Sequence, residues 1–348
     1  MTGVDRAPVD NLSGLRILVT GGAGFIGSHV VDILLSRGAA EVRVLDNLTN
    51  GTQQNLAGQS ANERFSLVVG DIRDGAAREQ ALHGMDVVYH LACLGVRHSL
   101  HDPVENHEVN ALGTLLMLES ARAEGIRRFI YVSTSEVFGT AQYAPMDEGH
   151  PTWPETVYGG SKLAGEAYSR AYFRTYGMDT VVVRPFNTYG PRSHFEGDSG
   201  EVLPRTIVRL LAGERPVIFG DGEQTRDFMH VFDTAAALAL LAQGPGLAGE
   251  TLNLGSGAEV TMNALCAAVA LAVGRPDLVP VHDIARPGDV RRLLGDPALM
   301  ASLTGFAPTV PFGRGVAELV AWFRESAGDN PERLAHMADR NWVALEAV

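Results

Sequence analysis

Apolar positions recur along the first half of the chain in two alternating patterns. Short apolar runs rich in β-branched residues predict buried strands at 15–19, 41–45, 65–69, 87–91, 129–133 and 180–184. Between them, apolar residues spaced three or four positions apart predict helices at 25–37, 105–124 and within 155–176. Strands that alternate with helices are typical of an α/β fold, in which helices cover both faces of a doubly wound parallel sheet.

The pattern becomes less regular after Pro185. The segment 191–200 is rich in glycine, proline and charge, and it predicts a loop. Beyond it we predict strands at 217–221 and 251–254, and helices at 202–212, 233–241, 262–273 and 316–325. We therefore expect a smaller α/β lobe interleaved with late elements of the sheet, followed by a surface helix or frayed tail over 328–348.

A glycine-rich turn joins the first predicted strand to the first predicted helix. Gly21, Gly24 and Gly27 follow the strand at three-residue spacing. Gly21 suits a tight turn, Gly24 allows backbone to approach a pyrophosphate, and Gly27 allows the helix to lie close to the strand. Because the helix begins with free N–H groups and a positive dipole end, the turn predicts a dinucleotide site of the Rossmann type.

Asp46 ends the second predicted strand, nineteen residues after Gly27. A carboxylate at this place accepts hydrogen bonds from a ribose 2′-hydroxyl and repels a 2′-phosphate, so the cofactor expected is NAD rather than NADP. The alternative interpretation of Asp46 is an Asx turn into Asn47. Asp71, at the end of the third strand, is a candidate for contact with the adenine.

Composition narrows the class of protein. The 348 residues, 45% hydrophobic and 20% charged, are ordinary for a globular enzyme. The net charge of −13 argues against a nucleic-acid partner, although local arginines can still bind an anionic substrate. Cys93 and Cys266 stand far apart in apolar runs, which favours reduced thiols, a cytoplasmic location and no metal site. Neither a signal peptide nor a membrane span is expected.

Tyr158 and Lys162 are four residues apart at the start of a predicted helix, so they project from one face. An ammonium group beside a phenol favours the phenolate, which lowers the tyrosine pKa towards the range useful for a general base. Taken alone, the pair is also compatible with an ordinary helix surface. The preceding strand ends in hydroxyl side chains, and among them Thr134 can hydrogen-bond a substrate hydroxyl and share its proton with Tyr158.

Together these features resemble the extended short-chain dehydrogenase/reductase family, and within it the NAD-dependent nucleotide-sugar epimerases and dehydratases. The resemblance runs from about Leu15 to Phe323. The motifs that carry it are 20–27, 46–51, Gly70-Asp71-Ile72, His90-Leu91-Ala92, Tyr158 with Lys162, 184–187 with 189–191, and 220–222 with Arg226-Asp227. We accordingly expect a flexible arm at 1–13, an NAD-binding Rossmann domain at 14–190 and about 228–257, a nucleotide-sugar-binding lobe at 191–227 and 258–327, and a tail at 328–348.

The resemblance also implies the site. Tyr158 would take the proton of the sugar C4 hydroxyl while hydride passes to the nicotinamide, and Lys162 would hold the nicotinamide ribose. The residues implied to bind the cofactor are Gly21, Gly24, Phe25, Ile26, Gly27, Asp46, Asn47, Asp71, Ile72, Leu91, Ala92, Tyr158 and Lys162. Those implied to bind the nucleotide sugar are Val96, Ser99, Asn187, His194, Arg226 and Arg286. The arginines would bind the diphosphate, although each could also be a surface residue, and His194 could equally be a solvated loop residue.

The pair after Thr134 bears on how the 4-keto sugar reacts onward. Many relatives that dehydrate carry Asp-Glu there, whereas this chain has Ser135-Glu136. Glu136 is the expected C5 base of a nucleotide-hexose 4,6-dehydratase. Ser135 leaves open which group protonates the leaving hydroxyl, and Glu136 could take both roles in turn. A nucleotide-glucuronate decarboxylase and a 4-epimerase remain alternatives, as does a non-catalytic NAD(H)-sensing regulator. Glu136 could also be a solvated carboxylate.

The family further implies a homodimer, in which helices 105–124 and 157–176 would form a four-helix interface. Their apolar stripes would equally suit the core of a monomer.

Overall fold

The computed structural model describes residues 11–286 and 288–327, together with Leu334 and Met337. Its strands are β1 (Arg16–Thr20), β2 (Glu41–Asp46), β3 (Phe65–Val69), β4 (Val87–His90), β5 (Arg128–Val132), β6 (Thr180–Pro185), β7 (Asn187–Tyr189), β8 (Val217–Phe219), β9 (Thr225–His230), β10 (Thr251–Leu254), β11 (Glu259–Thr261) and β12 (Val281–Asp283). Most of the predicted arm and of the predicted tail lies outside the described residues.

The helices that connect these strands are, in chain order, α1 (Phe25–Ser36), α2 (Gly75–Leu82), α3 (His98–His101), α4 (Pro103–His107), α5 (Gly113–Ala123), α6 (Val157–Tyr176), α7 (Val202–Leu211), α8 (Val231–Leu240), α9 (Met262–Val273), α10 (Ala298–Thr304) and α11 (Phe312–Ala327). A π-helical turn (Glu108–Leu112) joins α4 to α5, and 3₁₀ turns span Gln53–Gln59, Ser135–Val137 and Gly197–Ser199.

The central sheet has seven strands in the order β10-β6-β5-β4-β1-β2-β3. All of its neighbouring strands run parallel. This confirms the predicted fold class, a doubly wound parallel sheet of the Rossmann type. The chain order reverses between β1 and β4, and in such sheets ligands bind outside the carboxyl ends of the strands at this point.

Successive residues of β1 pack on opposite faces of the sheet. Ile17 and Val19 belong to one buried apolar cluster, shared with Val30 of α1 and Leu238 of α8. Leu18 belongs to a second cluster on the other face. This period of two is what an extended strand imposes, and each fully buried aliphatic side chain contributes roughly 1.5–3 kcal/mol of hydrophobic stabilisation. Because both faces are covered, the strand is apolar along almost its whole length.

The second lobe contains two small sheets, ordered β11-β9-β7 and β12-β8. Helices α7, α9 and α11 pack around a separate apolar cluster that includes Ile207, Leu265 and Phe323. Strand β10, from the range 228–257, joins the central sheet, whereas β7, from the range 14–190, joins one of the small sheets. The domain boundaries themselves stay a prediction. Within the described ranges, every helix is too short or too polar to span a bilayer.

The predicted helix at 105–124 is wrong as one continuous helix, because the π-helical turn interrupts it. Asn106 and Asn110 face the loop after β4 and are tied to it: the Asn110 amide accepts from Leu94 N at 2.8 Å and donates to Leu94 O at 2.9 Å. Such side-chain anchoring accompanies the local widening, as is common for π turns near functional sites. The predicted strand at 217–221 ends earlier, at Phe219, because Gly220 turns the chain at φ +84°.

Candidate active site

A cavity of about 970 Å³ opens at the carboxyl ends of the central strands and extends to the second lobe. This size is at the upper end of the usual range for small-molecule sites. One half is lined by residues predicted for the cofactor, namely Gly21, Gly24, Phe25, Ile26, Gly27, Asp46, Asn47, Ile72, Leu91 and Ala92. Most of the residues predicted to bind the cofactor therefore line one cavity.

The glycine turn has the geometry that its spacing predicts. Gly21 takes φ +70°, and a Cβ atom there would come within 2.7 Å of the Ala92 nitrogen. A Cβ on Gly27 would collide with the carbonyl oxygen of Gly21. Gly24 is the N-cap of α1 and offers no side chain to cap it. The first amide groups of α1 therefore face the cavity, and a helix N-terminus of this kind suits a pyrophosphate.

Asp46 is buried and its carboxylate organises two turns. It accepts from Ala23 N at 2.9 Å and from Leu48 N at 2.8 Å. The second bond is the Asx turn considered as the alternative, so this turn is present in a residue that also lines the cavity. Burial raises the pKa of Asp46, and the two backbone hydrogen bonds oppose that rise. A carboxylate has further acceptor positions, so the ribose contact stays a compatible prediction.

Two predicted contact residues do not lie on the cavity wall. The Asp71 carboxylate is bound by the Arg73 guanidinium at 3.0 and 2.8 Å, which holds the pKa of Asp71 below its usual range. Ser99 is buried, and its hydroxyl donates to Val96 O at 2.6 Å. Val96 and Ile72 do line the cavity. The structure thus assigns local structural contacts to Asp71 and Ser99, and their predicted roles gain no support from it.

Tyr158 lies at the start of α6, which Thr156 caps by accepting from Gly159 N at 3.2 Å. The phenol is hydrogen-bonded to the Thr134 side chain. Burial raises the pKa of Tyr158 well above its ordinary value, nearby Cys93 adds to this rise, and the Thr134 bond opposes it. The phenol is therefore held in its neutral form.

Lys162 lies one turn further along α6 and is buried. Its Nζ donates to Val132 O at 2.6 Å and stands 4.5 Å from the centre of the Tyr131 ring. Burial lowers the pKa of Lys162. Burial of the phenol dominates the pKa of Tyr158 here, and the Lys162 ammonium is bound to the Val132 carbonyl. The lowering of the Tyr158 pKa by Lys162 stays a prediction.

Ser135 and Glu136 begin a short 3₁₀ turn directly after Thr134, whose hydroxyl accepts from Glu136 N at 3.2 Å. Both residues line the cavity together with Thr134, Tyr158 and Lys162. Burial raises the pKa of the Glu136 carboxyl, and the charges of Arg226 and Arg286 oppose the rise. A carboxyl group with this environment suits proton transfer near neutral pH better than a solvated one does.

The predicted substrate residues Arg226 and Arg286 line the far half of the cavity. Their guanidinium groups both reach Asp289 Oδ1, at 2.8 and 2.5 Å. Asn187 also lines the cavity, and within the described part of the chain its buried Oδ1 has no hydrogen-bond partner. His194 lines it too, and burial lowers its pKa, so it is not a freely solvated histidine.

Several cavity residues were missed by sequence reasoning, among them Arg97, Glu201 and Arg205. Arg97 follows Val96 after β4, so the strand-end rule could have identified it. Glu201 is the N-cap residue of α7, at the end of a loop expected to lie over the sugar, and its local pattern does not single it out. Burial raises the pKa of Glu201 to about 8, and the charge of Arg97 opposes the rise. Burial lowers the pKa of Arg97 to about 10.

Known proteins show similarity over most of the chain. The family model described as GDP-mannose 4,6 dehydratase matches residues 18–319. A dTDP-glucose 4,6-dehydratase of Actinoplanes sp. is 40% identical over 318 residues, which are 89% of this chain and 98% of the relative. A UDP-glucose 4-epimerase of Mycolicibacterium smegmatis is 37% identical over 316 residues, 90% of this chain and 100% of the relative.

Another activity also occurs among the relatives. A UDP-glucuronic acid decarboxylase 1 of Xenopus tropicalis is 32% identical over 334 residues, 94% of this chain and 75% of the relative. Among solved structures, the dTDP-glucose 4,6-dehydratase DesIV of Streptomyces venezuelae, with NAD bound, superposes with a TM-score of 0.85 and is 36% identical; the match covers 89% of this chain and 97% of that chain.

Proposed function

This chain belongs to the family described as GDP-mannose 4,6 dehydratase, in the extended short-chain dehydrogenase/reductases, and from that membership we propose that it is an NAD-dependent nucleotide-hexose 4,6-dehydratase. The observation that carries the proposal is the juxtaposition of a hydrogen-bonded Thr134–Tyr158 pair and the Glu136 carboxyl in one cavity with the glycine turn. An NAD(H)-sensing regulator has no need of that pair.

The residues of the cavity fit NAD. The amide groups at the start of α1 suit its pyrophosphate, and Asp46 suits the adenine ribose. Gly21 and Gly27 keep this turn in place, since a Cβ at either position would meet backbone atoms. When bound, NAD supplies the acceptor and later the donor of hydride. Tyr158 and Lys162 would lie beside the nicotinamide part.

In the first half of the reaction, Thr134 and Tyr158 hold the sugar C4 hydroxyl, and Tyr158 accepts its proton. The buried phenol has a raised pKa, so it needs a neighbouring cation to act as a base. Lys162 is the cation on the same face of α6, four residues further on. The oxidised sugar carries a ketone at C4, which makes the neighbouring C5 proton acidic.

In the second half, Glu136 removes the C5 proton and the C6 hydroxyl departs as water. The raised pKa of Glu136 increases its strength as a base once it is ionised. The diphosphate of the substrate would be bound by Arg226 and Arg286, because guanidinium groups match its oxygens bidentately. Asn187 and His194 would contact the nucleotide sugar from the same wall.

Ser135 favours a second candidate, a nucleotide-glucuronate decarboxylase. In that reaction the C4 ketone assists loss of the C5 carboxylate, so neither a C5 base nor an acid for a leaving hydroxyl is needed. Ser135 lacks an acidic proton of the strength that dehydration calls for at this position. A 4-epimerase is less well supported, because it has no use for the Glu136 carboxyl.

One experiment separates these activities. The protein is incubated with dTDP-, UDP- and GDP-hexoses and with UDP-glucuronate, and the products are weighed by mass spectrometry. We expect a hexose substrate to lose the mass of water. Loss of carbon dioxide from UDP-glucuronate would instead establish the decarboxylase, and an isomer of unchanged mass would establish the epimerase. Unchanged substrates in every mixture would contradict all three.

We also infer that the chain forms a homodimer through α4, α5 and α6. Val104, Leu112 and Tyr176 are 67%, 44% and 56% exposed on these helices and adjoining turn. A partner would bury this apolar surface. Light scattering should give a dimer for the wild type and a monomer for Leu112→Glu, whereas a monomeric wild type would contradict the inference. The cytoplasmic location expected from the sequence also stays a prediction.

A further inference from the structure

Dehydration of a 4-keto hexose requires two proton transfers, one from C5 and one to the oxygen on C6. One proton leaves C5, and one must reach the oxygen on C6 so that it departs as water rather than hydroxide. Glu136 can serve the first transfer. Ser135 is buried and carries only an alcohol, which is a poor proton donor beside a carboxylic acid. The second transfer therefore lacks an assigned donor on the β5 side of the cavity.

Glu201 faces the same cavity from the other lobe. It is the N-cap residue of α7, yet its side chain makes no capping hydrogen bond to the helix and lines the cavity instead. Its backbone is fixed, because Glu201 N donates to His194 O at 2.8 Å and Glu201 O accepts from Arg205 N at 3.1 Å. The carboxyl group is thus carried by a rigid helix start, which suits a positioned acid.

Arg97 is a cation whose charge acts on both carboxyl groups. Its charge acts on Glu136 and on Glu201, and it lines the cavity between the β4 end and the second lobe. Arg226 and Arg286 also act on Glu136, and the Asp289 carboxylate opposes them. Burial raises the pKa of Glu201 to about 8, so this carboxyl keeps its proton at neutral pH and can donate it.

On the basis of the proposed dehydratase function, we propose that Glu201 is the catalytic acid that protonates the departing C6 oxygen. Glu136 takes the C5 proton, and the electron pair of the C5–H bond forms the C5=C6 double bond. The C6–O bond breaks, and its electron pair stays on the oxygen, which receives the Glu201 proton and leaves as water. No net oxidation occurs in this step, and Glu201 ends ionised beside Arg97.

The test uses the full chain and a nucleotide-hexose that the wild type dehydrates, with dTDP-glucose first, in deuterated water. We expect Glu201→Gln to lose water about 100-fold more slowly, within the usual range for removing an acid catalyst. Deuterium should still enter C5, because Glu136 still exchanges that proton. The 6-deoxy-6-fluoro analogue should restore elimination by this variant to near the wild-type rate, since fluoride leaves with less need of a proton.

Two control variants frame the result. Glu214→Gln removes an exposed carboxyl just beyond the other end of α7 and should behave as wild type in every assay. Glu136→Gln should lose C5 exchange with both substrates. The proposal is overturned if Glu201→Gln loses water at the wild-type rate, or if it is slowed equally with both substrates and also loses C5 exchange, which would indicate a structural role. A wild type that dehydrates none of the hexoses overturns the proposed function as well.

Discussion

Two glutamates near the end of β5 have opposite environments. Glu166 of α6 accepts from Ser133 Oγ at 2.7 Å and from two nitrogens of Arg184 at 2.9 and 2.7 Å, and Arg170 Nη1 approaches at 3.0 Å. Burial alone would raise the pKa of Glu166, but the Arg184 bonds and charge lower it. Glu136 faces the cavity, and its pKa is raised because burial outweighs its cationic neighbours.

The different partners of Glu166 and Glu136 show what separates a structural carboxylate from a reactive one. Hydrogen-bonded guanidinium groups fill the acceptor positions of Glu166, so it holds β5, β6 and α6 together and has no free proton chemistry. The arginines near Glu136 are directed to Asp289, so they tune its charge without occupying it. The two glutamates thus differ in function because their partners differ.

The largest effect expected from this comparison is on catalysis at Glu136. Glu136→Gln should reduce turnover by about 10²–10⁴-fold, because it removes a group that transfers a proton. The thermal midpoint should not fall, since the amide avoids the cost of burying a charge. Product formation by mass spectrometry and unfolding by calorimetry measure the two quantities. Normal turnover would remove Glu136 from the mechanism and favour epimerisation.

The next largest effect is on stability at Glu166. Glu166→Gln should lower the free energy of unfolding by about 3–5 kcal/mol, because Arg184 is left buried without its counter-charge. Denaturant unfolding measures this loss. Asp277→Asn is the control: Asp277 pairs with Arg275 on the surface, and its loss should leave the midpoint unchanged. A Glu166 variant as stable as the control would show that the buried ion pair contributes little.

A smaller and sharper test uses two adjacent hydroxyl residues. Ser133→Ala removes the bond to Glu166 and should cost about 1–2 kcal/mol of stability with little change in turnover. Thr134→Val removes the partner of Tyr158 and should lower kcat. It also removes the acceptor of the Glu136 N bond, so we expect a stability loss of about 1 kcal/mol. Equal effects of the two substitutions on kcat would contradict the division of the strand end into a structural and a catalytic face.

The smallest expected effect is on pH dependence, and its sign differs between the two glutamates. The folded pKa of Glu166 lies below its unfolded value near 4.5. Its contribution to the free energy of unfolding is therefore complete above that pH and is lost as the pH falls through the folded pKa. The folded pKa of Glu136 is raised, so its contribution is complete below about 4.5 and is lost as pH rises through the folded pKa.

Denaturant titrations at several pH values can separate these signs. The stability deficit of Glu166→Gln should shrink as the pH is lowered below 4.5. Relative to wild type, Glu136→Gln should gain stability as the pH is raised above that value. Parallel curves for the two variants would show that the two carboxyl groups titrate alike, contrary to the structure.

Local sequence patterns were enough to predict most of the fold and the part of the site expected to bind the cofactor. The glycine turn was predictable because each position depends on its own backbone conformation and on neighbours a few residues away. Helix α2 was missed because its sequence has a weak apolar stripe, although Asp74 caps it by accepting from Ala76 N at 2.9 Å. The π-helical turn was missed because its cause, the contact of Asn110 with Leu94, is tertiary.

The rest of the site depends on which partners a side chain finds. Spacing placed Lys162 on the same face as Tyr158 but could not show that Val132 O takes its ammonium group. Arg73 stands only two residues from Asp71, yet spacing alone did not show that its guanidinium takes the Asp71 carboxylate. Glu201 and Arg97 meet across the two lobes, and only the folded chain brings them into one cavity.

The contacts of Asp289 with Arg226 and Arg286 affect the affinity of the site for a diphosphate. Both guanidinium groups proposed for the diphosphate already contact this carboxylate, at 2.8 and 2.5 Å. An incoming anion therefore competes with an internal one, and the net gain is the difference between two ion pairs rather than the whole of one. An arrangement of this kind keeps the arginines in position between turnovers and moderates product retention, because the carboxylate can reclaim them as the product departs.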